Sequence, residues 1–247
     1  MNRTLKRILI AVAALIVIGG GITVWYVYLY DQADEEFDQA DVDERLDSGT
    51  VAITTDDATE ATGGTGATTA PAGDGVDGTW NIAAESEVGY RVEEVINGLD
   101  KTANGRTTAV TGSITIEGTS VSAGEFSVDM ATMDSGESRR DGQFRGRIMA
   151  VDQFPTATFT LTAPIEFGEI PAEGGTVTAQ ATGDLTLHGV TKSVTFEVQA
   201  TFKNGLIGVL GQIPVVFADY EIPNPSFASV TTEDHGLLEF VLVFARA

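Results

Sequence analysis

Residues Gly183–Val198 read GDLTLHGVTKSVTFEV, and this stretch decides the fold. Leu185 and Leu187 alternate with polar neighbours, which is the period-two pattern of a half-buried strand. The segment 188–192 interrupts the alternation, and a second alternating run covers 194–200. The stretch therefore predicts a β-hairpin with one apolar face and one polar face, and other strands must cover the apolar face.

Similar alternating runs recur between residue 79 and the end of the chain, with no long helical period between them. Glycine, asparagine, aspartate or proline separates most of these runs, as is typical of turns. The pattern predicts an all-β domain at 79–247 with about eight strands, closed as a barrel or packed as a sandwich. The runs outside the hairpin cover 88–92, 114–116, 126–130, 159–161, 213–217 and 238–244.

One segment of this domain, 135–150, has a helical rather than an alternating pattern. Phe144 and Ile148 are spaced for one helical face. Ser135 or Ser138 is expected to cap the start of the helix. We predict one short helix that crosses an opening of the barrel.

The N-terminal segment 1–30 predicts a membrane anchor. Residues 8–30 contain no charged side chain and are long enough to cross a bilayer as a helix. Basic residues precede this stretch and only acidic residues follow it closely. The distribution predicts a single-pass cell-membrane protein with a cytoplasmic N-terminus and its barrel outside. The alternative is a cleaved signal peptide, which the length and the bulky end of the apolar run disfavour.

The segment 31–78 is predicted to be a flexible tether between anchor and barrel. Its first part, 31–47, is strongly acidic, and a solvated spacer is favoured there over a frayed helix because like charges repel. The part from residue 48 onward is rich in Thr, Gly and Ala and poor in large apolar residues.

Composition excludes several function classes. The formal net charge is −22, and such a chain is poorly suited to nucleic acid, which requires Lys and Arg against phosphate. The chain has no cysteine, so disulfides, thiol catalysis and Cys-ligated zinc are excluded. Asp234 and His235 permit a Ser–His–Asp hydrolase as a weak alternative, but there is no nucleophile elbow. We predict no enzyme activity, no cofactor and no metal site.

Several motifs resemble those of YceI-like domains. The sequence GDLTLHGVTK at 183–192 resembles the family's central signature. Arg140-Asp141, followed by Phe154-Pro155 and then Phe159, resembles a second block, and Gly112 matches a position in an early strand. The resemblance covers 79–247. Two departures occur: Ser86 alone remains of a His-Ser pair, and Glu93 or Glu94 stands where many members have histidine.

The resemblance implies an extended, lipocalin-like antiparallel β-barrel that holds a long isoprenoid chain in an apolar tunnel. The partners expected are therefore an isoprenoid lipid, polyprenyl or quinone-like, and the membrane through residues 8–30; a homodimer is left open. The alternative is an interaction or adhesion domain with a solid core. A hollow barrel and a solid barrel require the same alternation of apolar and polar residues, so the sequence does not distinguish them. The residues expected to line the tunnel are Tyr90, Phe126, Met130, Phe159, Leu161, Leu185, Leu187, Phe196, Val198, Phe240, Leu242 and Phe244.

Four residues of the family motifs are assigned structural roles. His188, in the hairpin, either contacts a ligand head group or braces a neighbouring loop, and its outward position favours the brace. Gly189 follows it and can adopt backbone angles that other residues avoid. Arg140 and Asp141 are expected to cap the short helix and hold it to the barrel.

Overall fold

The computed structural model describes residues 33–49 and 75–247. The predicted anchor, 8–30, lies outside the described residues, as does the larger part of the predicted tether, 50–74. Among the residues that are described, no helix has the length and apolar character needed to cross a membrane.

The barrel is a closed, antiparallel ring of eight strands, as the sequence predicted. The strands in the described chain are β1 (Gly78–Ile82), β2 (Glu87–Ile96), β3 (Leu99–Thr107), β4 (Val110–Glu117), β5 (Ser120–Asp129), β6 (Thr156–Leu161), β7 (Ile165–Glu166), β8 (Thr176–Leu187), β9 (Val190–Lys203), β10 (Leu206–Val216), β11 (Val230–Thr232) and β12 (His235–Arg246). The order of the strands in the ring is β1-β4-β5-β6-β8-β9-β10-β12, and pairing between β12 and β1 closes the ring. Closure leaves no exposed edge in the ring.

Strands β2, β3 and β11 extend one end of the barrel. The long strand β12 pairs with β1 near its own C-terminus and with β2 over Leu237–Val241, so β2 continues the wall that β1 begins. The β2–β3 hairpin turns at Asn97-Gly98, and we call this end of the barrel the hairpin end. The opposite end carries Ile170 and is called the Ile170 end. Strands β1, β3, β7 and β11 were missed from the sequence because they are short or, like β3, largely polar.

The hairpin of 183–198 forms as predicted, with a shorter interruption. Leu187 pairs with Val190, so only His188 and Gly189 form the turn. Their φ angles are 50° and 78°, as required for a two-residue turn between twisted strands. Lys192 already belongs to β9 and pairs with Leu185. The leucines of β8 are buried and the residues between them are less so, which confirms the predicted alternation.

The predicted short helix is confirmed, but its predicted cap is wrong. Helix α2 covers Ser138–Gln143 and continues as a turn of π-helix over Phe144–Ile148. Its N-cap residue is Glu137, whose side chain makes no capping hydrogen bond. The buried carboxylate of Asp141 instead accepts hydrogen bonds from the backbone N–H of Ser135 at 3.0 Å and its hydroxyl at 2.6 Å. Asp141 thus secures the loop before the helix.

The prediction of a solvated spacer is wrong for its described part, because residues 33–49 pack on the outside of the barrel. We call these residues the strap. Its helix, α1 (Gln39–Ser48), begins with a capping box in which Asp38 is the N-cap. Phe37, Val42 and Leu46 are only 2%, 1% and 0% exposed. They pack on an outer apolar patch of β10 and β12, composed of Leu206, Leu210, Val241 and Val243. Burial of this face outweighs the repulsion between acidic side chains, most of which stay exposed.

A buried ion-pair network lies beneath the strap. The Glu239 side chain is fully buried, with one carboxylate oxygen 3.0 Å from Arg106 and the other 3.7 Å from Arg91. The backbone N–H of Phe37 donates to Glu239 at 3.3 Å, and the Arg106 guanidinium lies 3.8 Å from the centre of the Phe37 ring. Both arginines also donate to strap carbonyls, and Asp34 accepts from Arg91 at 2.8 Å. The strap therefore shields a charge network that would otherwise face water.

Candidate functional site

The barrel encloses an apolar cavity of about 700 Å³. Its wall extends from Ile96 and Phe227 at the hairpin end to Phe167 and Ile170 at the other. A volume of this size is within the ~300–1,000 Å³ that is typical of ligand-binding cavities. All of the predicted tunnel residues line it, namely Tyr90, Phe126, Met130, Phe159, Leu161, Leu185, Leu187, Phe196, Val198, Phe240, Leu242 and Phe244.

Glycines in the wall keep the aromatic rings from filling this cavity. Three inward-facing aromatic residues have a glycine as direct cross-strand partner: Tyr90 with Gly105, Phe126 with Gly112, and Phe240 with Gly211. A methyl group on Gly211 would collide with the far edge of the Phe240 ring. Because the glycine has no side chain, the ring lies flat over the neighbouring strand. The rings therefore line the lumen instead of crossing it.

The central wall of the cavity is a continuous set of aromatic contacts. Phe159 contacts Phe126 on one side, with a ring-centre distance of 6.4 Å, and Phe196 on the other at 5.5 Å. Phe196 contacts Phe240 at 6.1 Å, and Phe126 meets Phe244 at 5.9 Å. Three of these pairs are edge-to-face and the Phe126–Phe159 pair is stacked, and such pairs add to the stability that burial gives. The lumen thus has a continuous aromatic surface.

Polar groups gather where the cavity opens at the hairpin end. Arg139, Arg140 and Gln143 of α2 line this opening together with Glu94 of β2, and we call it the arginine mouth. Arg140 lies 3.8 Å from the Glu94 carboxylate. The nearby hydroxyl of Thr232 is buried and has no hydrogen-bond partner within the described part of the chain. A buried polar atom without a partner is costly to the folded state.

Tyr90 connects the short helix to the lumen. Its ring stacks on Phe144 with 5.1 Å between centres and 7° between planes. Burial raises the pKa of Tyr90 to about 12, so its hydroxyl is harder to ionise than that of an exposed tyrosine, which is already neutral at physiological pH. The phenol therefore presents a neutral donor near the mouth.

The motif residues of the β8–β9 turn lie beside the cavity rather than in its wall. The His188 Nδ1 atom is 3.3 Å from the carbonyl oxygen of Tyr220, and its ring meets Phe154 edge-on at 4.8 Å. Phe154 also lies directly over Gly189, where a side chain would collide with its ring. This packing ties the turn to two neighbouring loops, as expected for a brace. Arg140 and Asp141 have different roles. Arg140 lines the mouth, and Asp141 secures the loop before α2.

The remaining candidate residues lie apart from the cavity. His235 contacts Asp234 at 2.9 Å and lies close to Glu233, and all three side chains are exposed. Ser86, the remnant of the family's His-Ser pair, is fully buried and bonds both the N–H and the carbonyl of Val243. Ser86 therefore supports the junction of β1 and β2 against β12.

Comparison with known proteins identifies the fold family. The model of the YceI-like domain matches residues 80–244, which is most of the chain. The chain belongs to the YceI-like family. A UPF0312 protein of Vibrio campbellii is 34% identical over 103 residues, which is 39% of this chain and 51% of the relative. A UPF0312 protein of Pseudomonas putida is 39% identical over 94 residues, covering 37% and 44% respectively. The chain thus spans about half the length of these curated relatives.

Two solved structures share the YceI-like fold. A polyisoprenoid binding domain from Saccharophagus degradans, implicated in plant cell wall breakdown, aligns with a TM-score of 0.57 and 18% identity. The alignment covers 68% of this chain and 98% of that one. Burkholderia cenocepacia BcnA aligns with a TM-score of 0.53 and 19% identity, covering 66% and 98%. At these identities the likeness concerns the fold, and it supports the lipocalin-like barrel predicted from the sequence.

Proposed function

We propose that this YceI-like domain binds a long isoprenoid lipid, polyprenyl or quinone-like, and stores or transports it without chemical change. The observation that carries the proposal is the cavity of about 700 Å³ lined by apolar side chains along the barrel. A solid interaction domain would have packed this space with side chains. The polyisoprenoid binding domain of the Saccharophagus structure supports the same class of ligand.

The mouth supplies the polar groups for one end of such a ligand. Arg139, Gln143 and Thr232 all line the cavity at the same opening. A phosphate, hydroxyl or quinone oxygen is expected to bond there while the isoprenoid tail extends toward Ile170. This arrangement matches a polar head and an apolar tail to the two parts of the cavity.

Energetics favour a membrane as the source of the lipid. Transfer of a forty-carbon tail from water into the cavity would gain on the order of 30 kcal/mol, at about 0.8 kcal/mol per buried CH₂. That exceeds the ceiling of roughly 20 kcal/mol for non-covalent affinity, so exchange with water would be effectively irreversible. In a bilayer the tail is already out of water. Exchange with a bilayer therefore requires only that the cavity be about as favourable an environment for the tail as the bilayer interior. We therefore propose that the barrel lies on the outer side of the cell membrane and that residues 8–30 anchor it there.

The proposal is tested by extracting lipid from the purified full-length protein and from two variants of β8. Ala181 is 1% exposed and lines the lumen, whereas its neighbour Thr182 faces outward. We expect an isoprenoid mass in the native protein and in Thr182→Phe, and its loss in Ala181→Phe, where the larger ring occupies the lumen. Absence of any isoprenoid from the native protein, with no uptake of polyprenol from vesicles, would overturn the proposal and favour a solid interaction domain.

A further inference from the structure

Exposed apolar side chains concentrate at the hairpin end of the barrel. Within the described chain, five large apolar residues are exposed, and three of them, Val95, Leu99 and Phe227, lie at this end. They belong to one continuous ladder in which Leu99 pairs with Ile96 and Ile96 pairs with Val230. Phe227 bridges to Val230 and is 57% exposed. We call Val95, Ile96, Leu99 and Phe227 the apolar rim. Ile96 and Phe227 also line the cavity, so the rim borders the arginine mouth.

Basic side chains accompany the rim, together with the acidic Glu94 and Glu137 that line the cavity at the same end. All 36 acidic residues and 11 of the 14 basic residues follow Tyr30, and four of those basic residues lie between Arg139 and Arg147. Arg139 is exposed at the mouth. Arg147 donates hydrogen bonds to the carbonyls of Asn224 and Pro225, which holds the loop carrying Phe227 against the helix. An apolar edge beside arginines is the composition that suits a lipid headgroup region.

The path of the strap directs the preceding chain toward the same end. Gln39 bonds Thr201, which pairs with Gly208 close to the β9–β10 turn at Asn204-Gly205. Four residues earlier, the carbonyl of Glu35 accepts a hydrogen bond from Arg106, and Asp34 contacts Arg91 and Asn104. These last contacts lie closer to the β2–β3 turn. Followed backward from α1, the chain thus runs toward the hairpin end.

The short chain between the strap and the apolar segment 8–30 limits how far the end of that segment can lie from the barrel. Four Cα steps separate Tyr30 from Asp34, and they span about 14 Å at most. From Arg91 to Ile96 is five strand residues, or about 13 Å along the axis for a strand tilted by about 40°. A chain of this length is therefore long enough for the end of the apolar segment 8–30 to lie at the level of the rim. Because the strap is docked, the barrel lacks the long reach that a tether of 31–78 would give it.

We propose that the apolar rim is a membrane-docking surface that inserts into the headgroup region of the bilayer and opens the arginine mouth toward the acyl chains. The bilayer is the occupant because the adjoining chain leads to the apolar segment and the apolar rim lies beside the arginines of α2. The inference rests on the membrane location in the proposed function and adds an orientation to it. A lipid would then exchange through the mouth without crossing water.

The test uses the full-length protein reconstituted into vesicles of phosphatidylcholine and phosphatidylglycerol. Since the chain has no native cysteine, single substitutions can carry an environment-sensitive fluorophore. Phe227→Cys and Leu99→Cys report on the rim, and Ile170→Cys, at the opposite end and also exposed, is the matched control. We expect a blue shift and strong quenching by nitroxide-labelled lipid at 227 and 99, with neither at 170. Equal quenching at all three positions, quenching at 170 alone, or quenching at none would overturn the proposal.

Two further variants separate orientation from anchoring. A side chain at Gly208 would collide with Val42 and Leu46 of the strap, so Gly208→Val should undock the strap and reduce quenching at 227 while the protein stays in the vesicles. Arg139→Glu should reduce quenching at 227 in vesicles that contain phosphatidylglycerol and have less effect in pure phosphatidylcholine. Unchanged quenching in both variants would contradict the roles assigned to strap and arginine.

Lipid extraction distinguishes the two proposals when the same protein is first purified away from polyprenol-containing vesicles, so that only protein-bound polyprenol is recovered. Quenching at the rim with an empty cavity would refute isoprenoid binding and leave the docking surface intact. A filled cavity without quenching at the rim would refute the docking surface and leave isoprenoid binding intact.

Discussion

The two faces of the β10–β12 sheet are both apolar, yet one encloses a cavity and the other is fully covered. Phe240, Leu242 and Phe244 face the lumen, whereas Val241 and Val243 lie between them on the outside and are completely buried under the strap. The inner face therefore keeps space for a ligand, and the outer face is filled by the protein's own chain. An apolar strand face can thus mark a binding site or a covered surface, and packing decides which.

Two glycines of β10 illustrate how packing decides. Gly208 faces outward, and its missing side chain makes room for Val42 and Leu46. Gly211 faces inward, and its missing side chain makes room for the flat ring of Phe240. On the outside the freed space admits the strap, and on the inside it preserves the lumen.

The largest loss of stability is expected when Glu239, the buried charge on the outer face, is removed. Glu239→Ala would leave Arg91 and Arg106 without their buried partner and should cost about 3–5 kcal/mol in the free energy of unfolding. Chemical denaturation monitored by circular dichroism measures this loss. Glu125→Ala is a suitable control because Glu125 is an exposed wall residue. A cost below about 1 kcal/mol at Glu239 would show that water replaces the carboxylate easily.

A smaller difference is expected between leucines of the two regions. Leu46→Ala empties a site that is filled on all sides and should cost about 3 kcal/mol. Leu185→Ala enlarges a space that already exists and should cost about 2 kcal/mol, because its neighbours lose fewer contacts. Denaturation of both variants after delipidation gives the comparison. A larger cost at Leu185 would indicate that the lumen is packed more tightly than the strap interface.

The sequence predicts the lumen better than the outer face for a physical reason. Alternation identifies which residues face inward, so all twelve tunnel residues could be named, from Tyr90 to Phe244. The same alternation test identified the strand at 238–244 but does not reveal that its outer face is buried as well. The run 237–245 is almost continuously apolar, which is the pattern of a strand buried on both faces and the signal that an outer cover was needed. Phe37, Val42 and Leu46 were obscured by the acidic residues around them.

The arginine mouth was only partly predictable. The helical spacing of Phe144 and Ile148 indicated a helix across an opening, and Arg140 was noted as a motif residue. The place of Arg139 and Gln143 at the mouth depends on how the helix is oriented, and the hydroxyl of Thr232 lacks a partner because of tertiary packing. Neither property leaves a periodic signal in the sequence.

The paired glycines give a test with opposite outcomes on one strand. Gly208→Ala should release the strap and cost about 1–3 kcal/mol, while bound lipid is retained. Gly211→Ala should swing the Phe240 ring into the lumen and displace lipid, at a cost of about 1 kcal/mol, since the ring has space to move. Denaturation, proteolysis of the strap and lipid extraction are measured on both. Loss of lipid in Gly208→Ala would mean that the strap also shapes the lumen.

The smallest effect is expected at the exposed end of the strap, where Asp47 pairs with Lys203 at 2.7 Å. The hydrogen bond from Lys203 lowers the pKa of Asp47, and the same bond raises the pKa of Lys203. The contribution of Asp47 is therefore present above its unfolded pKa of about 3.9 and is lost as the pH falls through its lower folded pKa. The contribution of Lys203 is present below about 10.4 and is lost as the pH rises through its higher folded pKa.

Hydrogen exchange at the end of α1 is the appropriate measurement, because an exposed pair changes local opening more than global stability. Asp47→Asn should speed exchange of the Gly49 amide, which bonds the Arg45 carbonyl, at neutral pH and low salt, and should change it little in strong acid. The effect is limited because a carboxylate near a helix C-terminus opposes the helix dipole, so its removal also relieves a repulsion. Unchanged or slower exchange would mean that this relief outweighs the pair, and that Val42 and Leu46 hold the strap without help from the exposed charges.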